Sequence, residues 1–485
     1  MKRFIVVVFL SIGLAANAQF DGFHYNDDLT KVSTDTAIRQ IGKILNILRE
    51  FRFQAYIQPQ WQRADTSGKT SSGPLGIDGV GSFQGGTFPA AANNRFLERR
   101  SRFRFSFEHK NAKDLKIVEF AFQFEAYDYV RGSIAVKEFY GRIIDPWVGW
   151  VSLQGGIFTR PVGLESTISP AFHESPEFSR VNQTIFPNET ELGEALVIES
   201  PARFEKFYLR ADANIVNGQG VGVGFQTGTY QSKKDFIGRI KFGKVWEIGK
   251  AKIGFNVSAS YYLGSVLQTS NYVYQLQKDS LGSFYYKNIG DPLMQLKKSY
   301  KREYYGAHVE VKAVYPIGST MIRGEFFAGV QPGGATSSLI PLGQYNAPPA
   351  SDVYLRKFNG AMFCFSQSFN SKIKGHTIMH DITLKYDWYD PQAQVKGTDF
   401  LSPKGFSITD IKYSTLGVGY SFVPYNWFKL MIWYDYITNE KTGILGWEKD
   451  FKKDNVLTIR TQFYVDSWWF NSKSKYKDNS LLKKY

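Results

Sequence analysis

The chain predicts an all-β fold: a transmembrane antiparallel β-barrel of about 16 strands with a short N-terminal periplasmic helix. Runs such as Phe103-Arg104-Phe105-Ser106-Phe107, Phe120-Ala121-Phe122-Gln123-Phe124 and Phe255-Asn256-Val257-Ser258-Ala259-Ser260-Tyr261 place apolar or small side chains on every second residue. A period of two gives each strand one apolar and one wet face. The pattern recurs along the chain, and its connections alternate short and long, as periplasmic turns and external loops do. Aromatics make up 16% of the residues, with 29 Tyr and 40 Phe. They suit the girdles that a barrel needs at both membrane interfaces.

The elements follow in order. Lys2 and Arg3 form a positive start, Phe4 to Ala15 an apolar stretch and Ala16-Asn17-Ala18 a small-x-small site. Residues 1–18 therefore read as a signal peptide cleaved after Ala18, which implies export to the bacterial outer membrane. The stretch is too short to anchor as a spanning helix. Residues 19–50 form a periplasmic segment. In it Ile38, Ile41, Leu45 and Leu48 recur at helical spacing, Ile44 and Ile47 widen the face, and Thr34 or Thr36 caps the start. The spacing predicts an amphipathic helix over 36–50, either packed on the barrel base or serving as a plug or oligomer contact.

The barrel spans 51–470. Its strands are expected at 51–63, 96–108, 116–130, 134–144, 148–160, 193–200, 204–216, 236–247, 251–264, 301–315, 320–331, 357–369, 374–389, 411–422, 427–438 and 455–469. The long connections are 64–95, 161–192, 217–235, 265–300, 332–356, 390–410 and 439–454; the short 131–133 breaks the alternation. An even strand count leaves both chain ends on the short-turn, periplasmic side. The Gly- and Ser-rich 64–95 connection reads as a mobile surface loop. Residues 471–485 form a basic periplasmic tail.

Composition narrows the function. The formal charge of +15 falls to +13 without Lys2 and Arg3. An exported basic protein points to outer-membrane lipid and to small hydrophilic or anionic solutes as partners, with no nucleic acid. Mean hydropathy of −0.29 leaves no helical span in the mature part. Cys364 is the single cysteine, so no intramolecular disulfide forms; between outward Phe363 and Phe365 it faces inward as a small wall residue. The six histidines, His24, His109, His173, His308, His376 and His380, are scattered and sit in no hydrolase motif. Gly220, Gly222 and Gly224 lack the following Lys-Ser/Thr of a phosphate cradle. No enzyme, metal site or cofactor is expected.

Two groups of residues carry the expected function. On strand 96–108, Phe103, Phe105 and Phe107 take the lipid face, so Arg100, Arg102 and Arg104 point into the lumen about 7 Å apart. Guanidinium groups facing lipid are prohibitive, which fixes the register. The same register turns Arg142, Arg210, Arg239, Lys241, Lys312, Arg323, Lys385 and Arg460 inward. It does the same for Glu119, Glu125, Glu138, Asp212, Glu310, Glu325, Asp381, Asp387 and Asp435, which pair with about half of the bases. The ladder holds more like charge than its neighbours can match. The second group lies after strand 148–160: Glu165, Glu174, Glu177, Glu189 and Glu191, with Glu194 just beyond, against one base, Arg180. This proline-stiffened segment lies on the surface or folds inward as a constriction loop. Folded inward, it sets an acidic face against a basic wall and a transverse field across the pore.

Gly155-Gly156-Ile157-Phe158-Thr159-Arg160-Pro161-Val162-Gly163-Leu164-Glu165 resembles the G-Q-F-K-x-P-F-G-x-E element of the phosphate-selective porin O and P family. Glu98-Arg99-Arg100-Ser101-Arg102-Phe103-Arg104-Phe105 is similar to its R-R-x-R-x-x-F-x-G stretch. Lys385 to Asp390, Thr415 to Tyr420 and Thr458 to Phe463 look like its late strands. The resemblance covers residues 50 to 470. It implies a sixteen-stranded porin, a homotrimer, with the third external loop in the pore and a phosphate pathway lined by Arg and Lys. The acid-rich 163–194 segment differs from a purely basic constriction. The expected function is passive diffusion of small hydrophilic solutes, with a preference for anions such as phosphate. A non-conducting barrel serving as a structural or secretion-complex subunit is the alternative.

Overall fold

The computed structural model describes residues 50–66, 82–89, 91–128, 133–187, 189–201, 204, 206–218, 233–267, 272–290, 298–335, 352–400, 405–444 and 455–467. The stretch through Phe51 separates as its own unit. The signal peptide, the 36–50 helix up to its last residue, the last residues of the expected 455–469 strand and the basic tail lie outside the described residues.

Every expected strand is present. The barrel consists of β1 (Phe51–Ala64), β2 (Asn94–Lys110), β3 (Lys116–Asp128), β4 (Ser133–Ile144), β5 (Val151–Thr159), β6 (Thr190–Glu199), β7 (Phe207–Val216), β8 (Asp235–Ile248) and β9 (Ala251–Leu267). After a hairpin, β10 (Val273–Lys278) and β11 (Phe284–Asn288), it continues with β12 (Ser299–Tyr315), β13 (Gly318–Gly333), β14 (Val353–Ile373), β15 (His376–Asp390), β16 (Tyr413–Tyr425), β17 (Phe428–Asn439) and β18 (Val456–Asp466). Neighbours pair antiparallel, and β9 pairs directly with β12. β1 pairs with β18 from Gln54 opposite Asp466 to Ala64 opposite Val456. Sixteen strands among the described residues thus form a closed barrel without a free edge.

The alternation of the sequence becomes the two walls. Phe103, Phe105, Phe120, Phe139, Phe326 and Phe363 are exposed on the outer face, while Arg100, Arg102, Glu119, Glu125, Arg323 and Lys385 are buried inside. Cys364 is buried on the inner face, opposite Arg323. This inside-out distribution places apolar side chains where lipid removes them from water. Short turns close one end of the barrel. Between β14 and β15 the turn residues Lys374 and Gly375 have φ of 49° and 82°. Both positive values match a tight hairpin turn. β5 begins later than expected because Asp145 accepts the Trp147 and Val148 N–H groups and holds 145–150 in a turn.

Two expectations for the long loops are corrected. The 265–300 connection contains the β10–β11 hairpin, and Val273–Gln275 runs parallel to Val353–Leu355 of β14. Its Tyr286 hydroxyl donates to Asp410 (2.8 Å) and so ties the hairpin to a neighbouring loop. The 64–95 connection is not wholly a surface loop: Phe88 is buried with Ala64 and Val456, and Gln62 Nε2 donates to the Gln84 carbonyl (2.7 Å).

Candidate functional site

The segment between β5 and β6, described at residues 160–187 and 189, lies inside the barrel and is largely buried. It contains 3-10 turns at Glu165–Thr167 and Pro170–Phe172 and one short helix, α1 (Arg180–Ile185). Its backbone is held from many directions. Gln58 of β1 donates to the Pro170 carbonyl (3.2 Å), Gln462 of β18 to Ala171 (3.1 Å), and Lys429 of β17 to His173 (3.1 Å). Arg302 of β12 donates to the Ile185 carbonyl (3.1 Å). On β13 the Glu325 carboxylate accepts the Leu164 and Glu165 N–H groups at 3.2 and 2.9 Å. Gly163 lies at φ 79°, and a Cβ there would collide with that carboxylate, so glycine permits this approach.

The acids of the segment meet the bases of the wall. Glu177 accepts from Arg99 Nε (2.8 Å), Arg100 Nη2 (3.1 Å) and Arg460 Nη2 (2.8 Å). Three guanidinium groups share one carboxylate, so this hub keeps a positive balance. Burial pushes the Glu177 carboxyl up, but Arg100, Arg99 and Arg460 outweigh it and hold it well below the usual carboxylate range. Glu189 pairs with Arg102 at 3.0 Å, Glu174 with Arg323 at 3.0 Å, and Glu165 with Lys385 at 2.5 Å. Glu165 also accepts from the Ser179 N–H and from Asn182 Nδ2 (2.7 and 3.0 Å), which closes the segment on itself. Glu191 pairs with Arg160 at 3.1 Å. Arg180 donates its N–H to Asp387 and its Nε to Thr415, both at 3.0 Å. Its guanidinium covers the Phe83 ring at 4.6 Å. Burial pushes the His173 imidazole down to about 4, so the ring is neutral at physiological pH.

These contacts correct the ladder expectation. Arg102 is matched by Glu125 (3.0 Å) as well as Glu189, and Arg104 by Glu138. Of these three, Arg100 alone shares its carboxylate with other arginines. The acidic segment does not face the basic wall across a gap. It touches the wall, so its charges are neutralised there rather than set as a transverse field. Arg210 and Arg239 are brought to Asp212 (2.7 and 3.0 Å) on the β7–β8 wall, and Lys241 lies 5.5 Å from the Tyr208 ring. Arg323 also pairs with Glu310 of β12 (2.7 Å).

Sequence reasoning missed Arg99, whose inward reach breaks the alternation next to Arg100. Two adjacent arginines on one strand allow either slip, and only the position of Glu177 selects this one. It also missed Arg302, whose register is the same as that of the inward bases around it.

Chemically, the arrangement is a polar lumen crossed by an ion-paired segment. Among the described residues no group of three or more His, Cys, Asp or Glu could hold a metal. No family model matches the chain, and no curated protein does. Among solved structures, the chain is similar in fold to OprB of Pseudomonas putida: 11% identity, TM-score 0.50, over 88% of this chain and 97% of that one. OmpT of Vibrio cholerae in its trimer form matches at 9% identity and TM-score 0.45, over 86% and 99%. An anion-selective porin from Comamonas acidovorans matches at 9% and 0.43, over the same shares. The likeness to OprB is one of fold: a closed antiparallel barrel.

Proposed function

We propose that the chain forms a water-filled outer-membrane channel for passive diffusion of small hydrophilic solutes, without enzymatic activity. The observation that carries this reading is the docked segment: a charged, polar constriction inside a barrel whose outer wall is apolar. The positive balance of Arg99, Arg100 and Arg460 around Glu177 supports a weak preference for anions such as phosphate. The other ladder arginines are matched by carboxylates and add little to it. Removal of residues 1–18 and periplasmic chain ends belong to the same proposal. Assembly into a homotrimer is also proposed. Glu194 is exposed on the outer wall beside Leu196 and Ile198. A carboxylate facing lipid is costly, and a basic or hydrogen-bonding group of a second copy set against it would offset that cost.

The segment's anchors on both sides of the lumen favour a second reading, a non-conducting barrel that presents its loops to partners. Reconstitution in planar bilayers tests the two. The channel reading expects discrete conductance steps in 1 M KCl; a correctly folded barrel that inserts silently leaves the second reading.

A further inference from the structure

We propose that the lumen holds a binding site for a neutral polyhydroxylated solute, a free mono- or disaccharide, between the docked segment and the wall of β1–β4 and β18. This deepens the channel reading by naming a solute class, and the site is measurable whether or not current flows.

The cavity there has a volume of about 410 Å³, within the range of small-molecule sites. Arg52 at the start of β1 and Glu108 near the end of β2 line it, which places it toward the short-turn end. Three observations define its chemistry.

The first is an aromatic face in the wrong solvent. Phe172 remains 40% exposed although it lies inside the lumen, where no lipid reaches it. Its ring meets Tyr464 edge-on at 5.4 Å, and Tyr464 packs with Tyr56 and Ala171 behind it. A flat apolar surface bordered by polar groups suits the C–H face of a sugar ring.

The second is an unmet hydroxyl. Tyr56 is buried and lines the cavity, and its hydroxyl has no hydrogen-bond partner among the described residues. A buried polar group left in this state is costly; the hydroxyl is closed off from solvent, and a small turn of the ring toward the cavity lets a solute hydroxyl supply the missing partner.

The third is charge. The arginines lining the cavity are already engaged: Arg52 with Asp466 (2.5 Å), Arg102 with Glu125 and Glu189, and Arg104 with Glu138 and the Tyr140 hydroxyl (3.3 Å). An oxyanion would have to break one of these pairs. A neutral solute does not. Paired carboxylates and guanidinium groups instead present acceptors beside donors, the arrangement that vicinal hydroxyls match.

Saturation-transfer NMR on the full chain in detergent, with glucose and maltose as probes, tests the site. Saturable binding of at least one sugar is expected. Phe172→Ala should weaken it about fivefold or more, the loss of one ring contact. Tyr56→Phe should weaken it by a smaller factor, and Phe326→Ala on the outer wall should leave it unchanged. Heat-modifiable gel mobility confirms that each variant folds. Absence of saturable sugar binding to the folded parent overturns the proposal. So does binding that both cavity variants retain at full strength, or displacement of the sugar by equimolar inorganic phosphate. A conducting channel that binds no sugar would refute the site and leave the channel reading standing. A silent barrel that binds sugar would do the reverse.

Discussion

The β2 wall and the β7–β8 wall carry similar arginine sets and neutralise them differently. On β7–β8, Arg210 and Arg239 share Asp212, a residue of the same sheet. On β2, Arg104 is matched within the sheet, but Arg100 depends on Glu177 and Arg102 is shared with Glu189, both from the docked segment. Charge balance is therefore built into one wall and conditional on the other. Where a docked connection supplies the counter-charge, position and electrostatics become one property: displacing the segment would also recharge the pore.

The largest effect should follow from removing the hub. Glu177→Gln leaves Arg99, Arg100 and Arg460 without a carboxylate in a buried site. Breaking one side of a buried ion pair costs about 3–5 kcal/mol. The segment should undock, seen as protease cleavage within 168–188 while the barrel stays protease-resistant. The matched change Asp212→Asn on the other wall should leave that segment uncut. If both variants behave alike, the contrast between the walls is lost.

A second, smaller effect concerns ion selection. Replacing Arg100, Arg102 and Arg104 by Gln should shift the reversal potential toward cations, most at low salt, because screening weakens these charges. Potentials of a few kT in a narrow lumen correspond to roughly a tenfold change in permeability ratio. Retention of the parent's selectivity at low salt would remove the ladder from the account.

The smallest effect concerns pH. The arginines hold Glu177 below the usual carboxylate range. A carboxyl lowered in this way stabilises the docked state above its unfolded pKa of about 4.3 and loses that contribution as pH falls through its folded value. The Glu177 contribution to docking, read as the difference in proteolysis between the parent and Glu177→Gln, should therefore be unchanged between pH 7 and pH 5. Undocking within that window would show that another group controls the segment.

The same contrast explains what the sequence disclosed. The walls were legible because side-chain period two leaves little choice: once Phe103 and Phe105 face lipid, Arg102 and Arg104 cannot. Cys364, Lys385 and Arg460 followed from the same register. The docked segment was legible only as a charge excess. Nothing in Glu165 or Glu177 states a distance to Lys385 or Arg460, which lie more than two hundred residues away in the chain. The Ser82–Gln84 turn and the β10–β11 hairpin were hidden for a related reason. Gln62 holds the Ser82–Gln84 turn through the Gln84 carbonyl and Tyr286 ties the hairpin to Asp410, contacts that span 22 and 124 residues of chain.

The central claim is that an ion-paired segment narrows an open lumen. Single-channel conductance of the parent and of a chain lacking 168–188, compared in the same bilayers, tests it most directly. Steps are expected from both, with clearly larger steps from the deletion and a shift toward anions, because Glu177 is lost while its three arginines remain. Equal step sizes and equal selectivity from two folded barrels would contradict it.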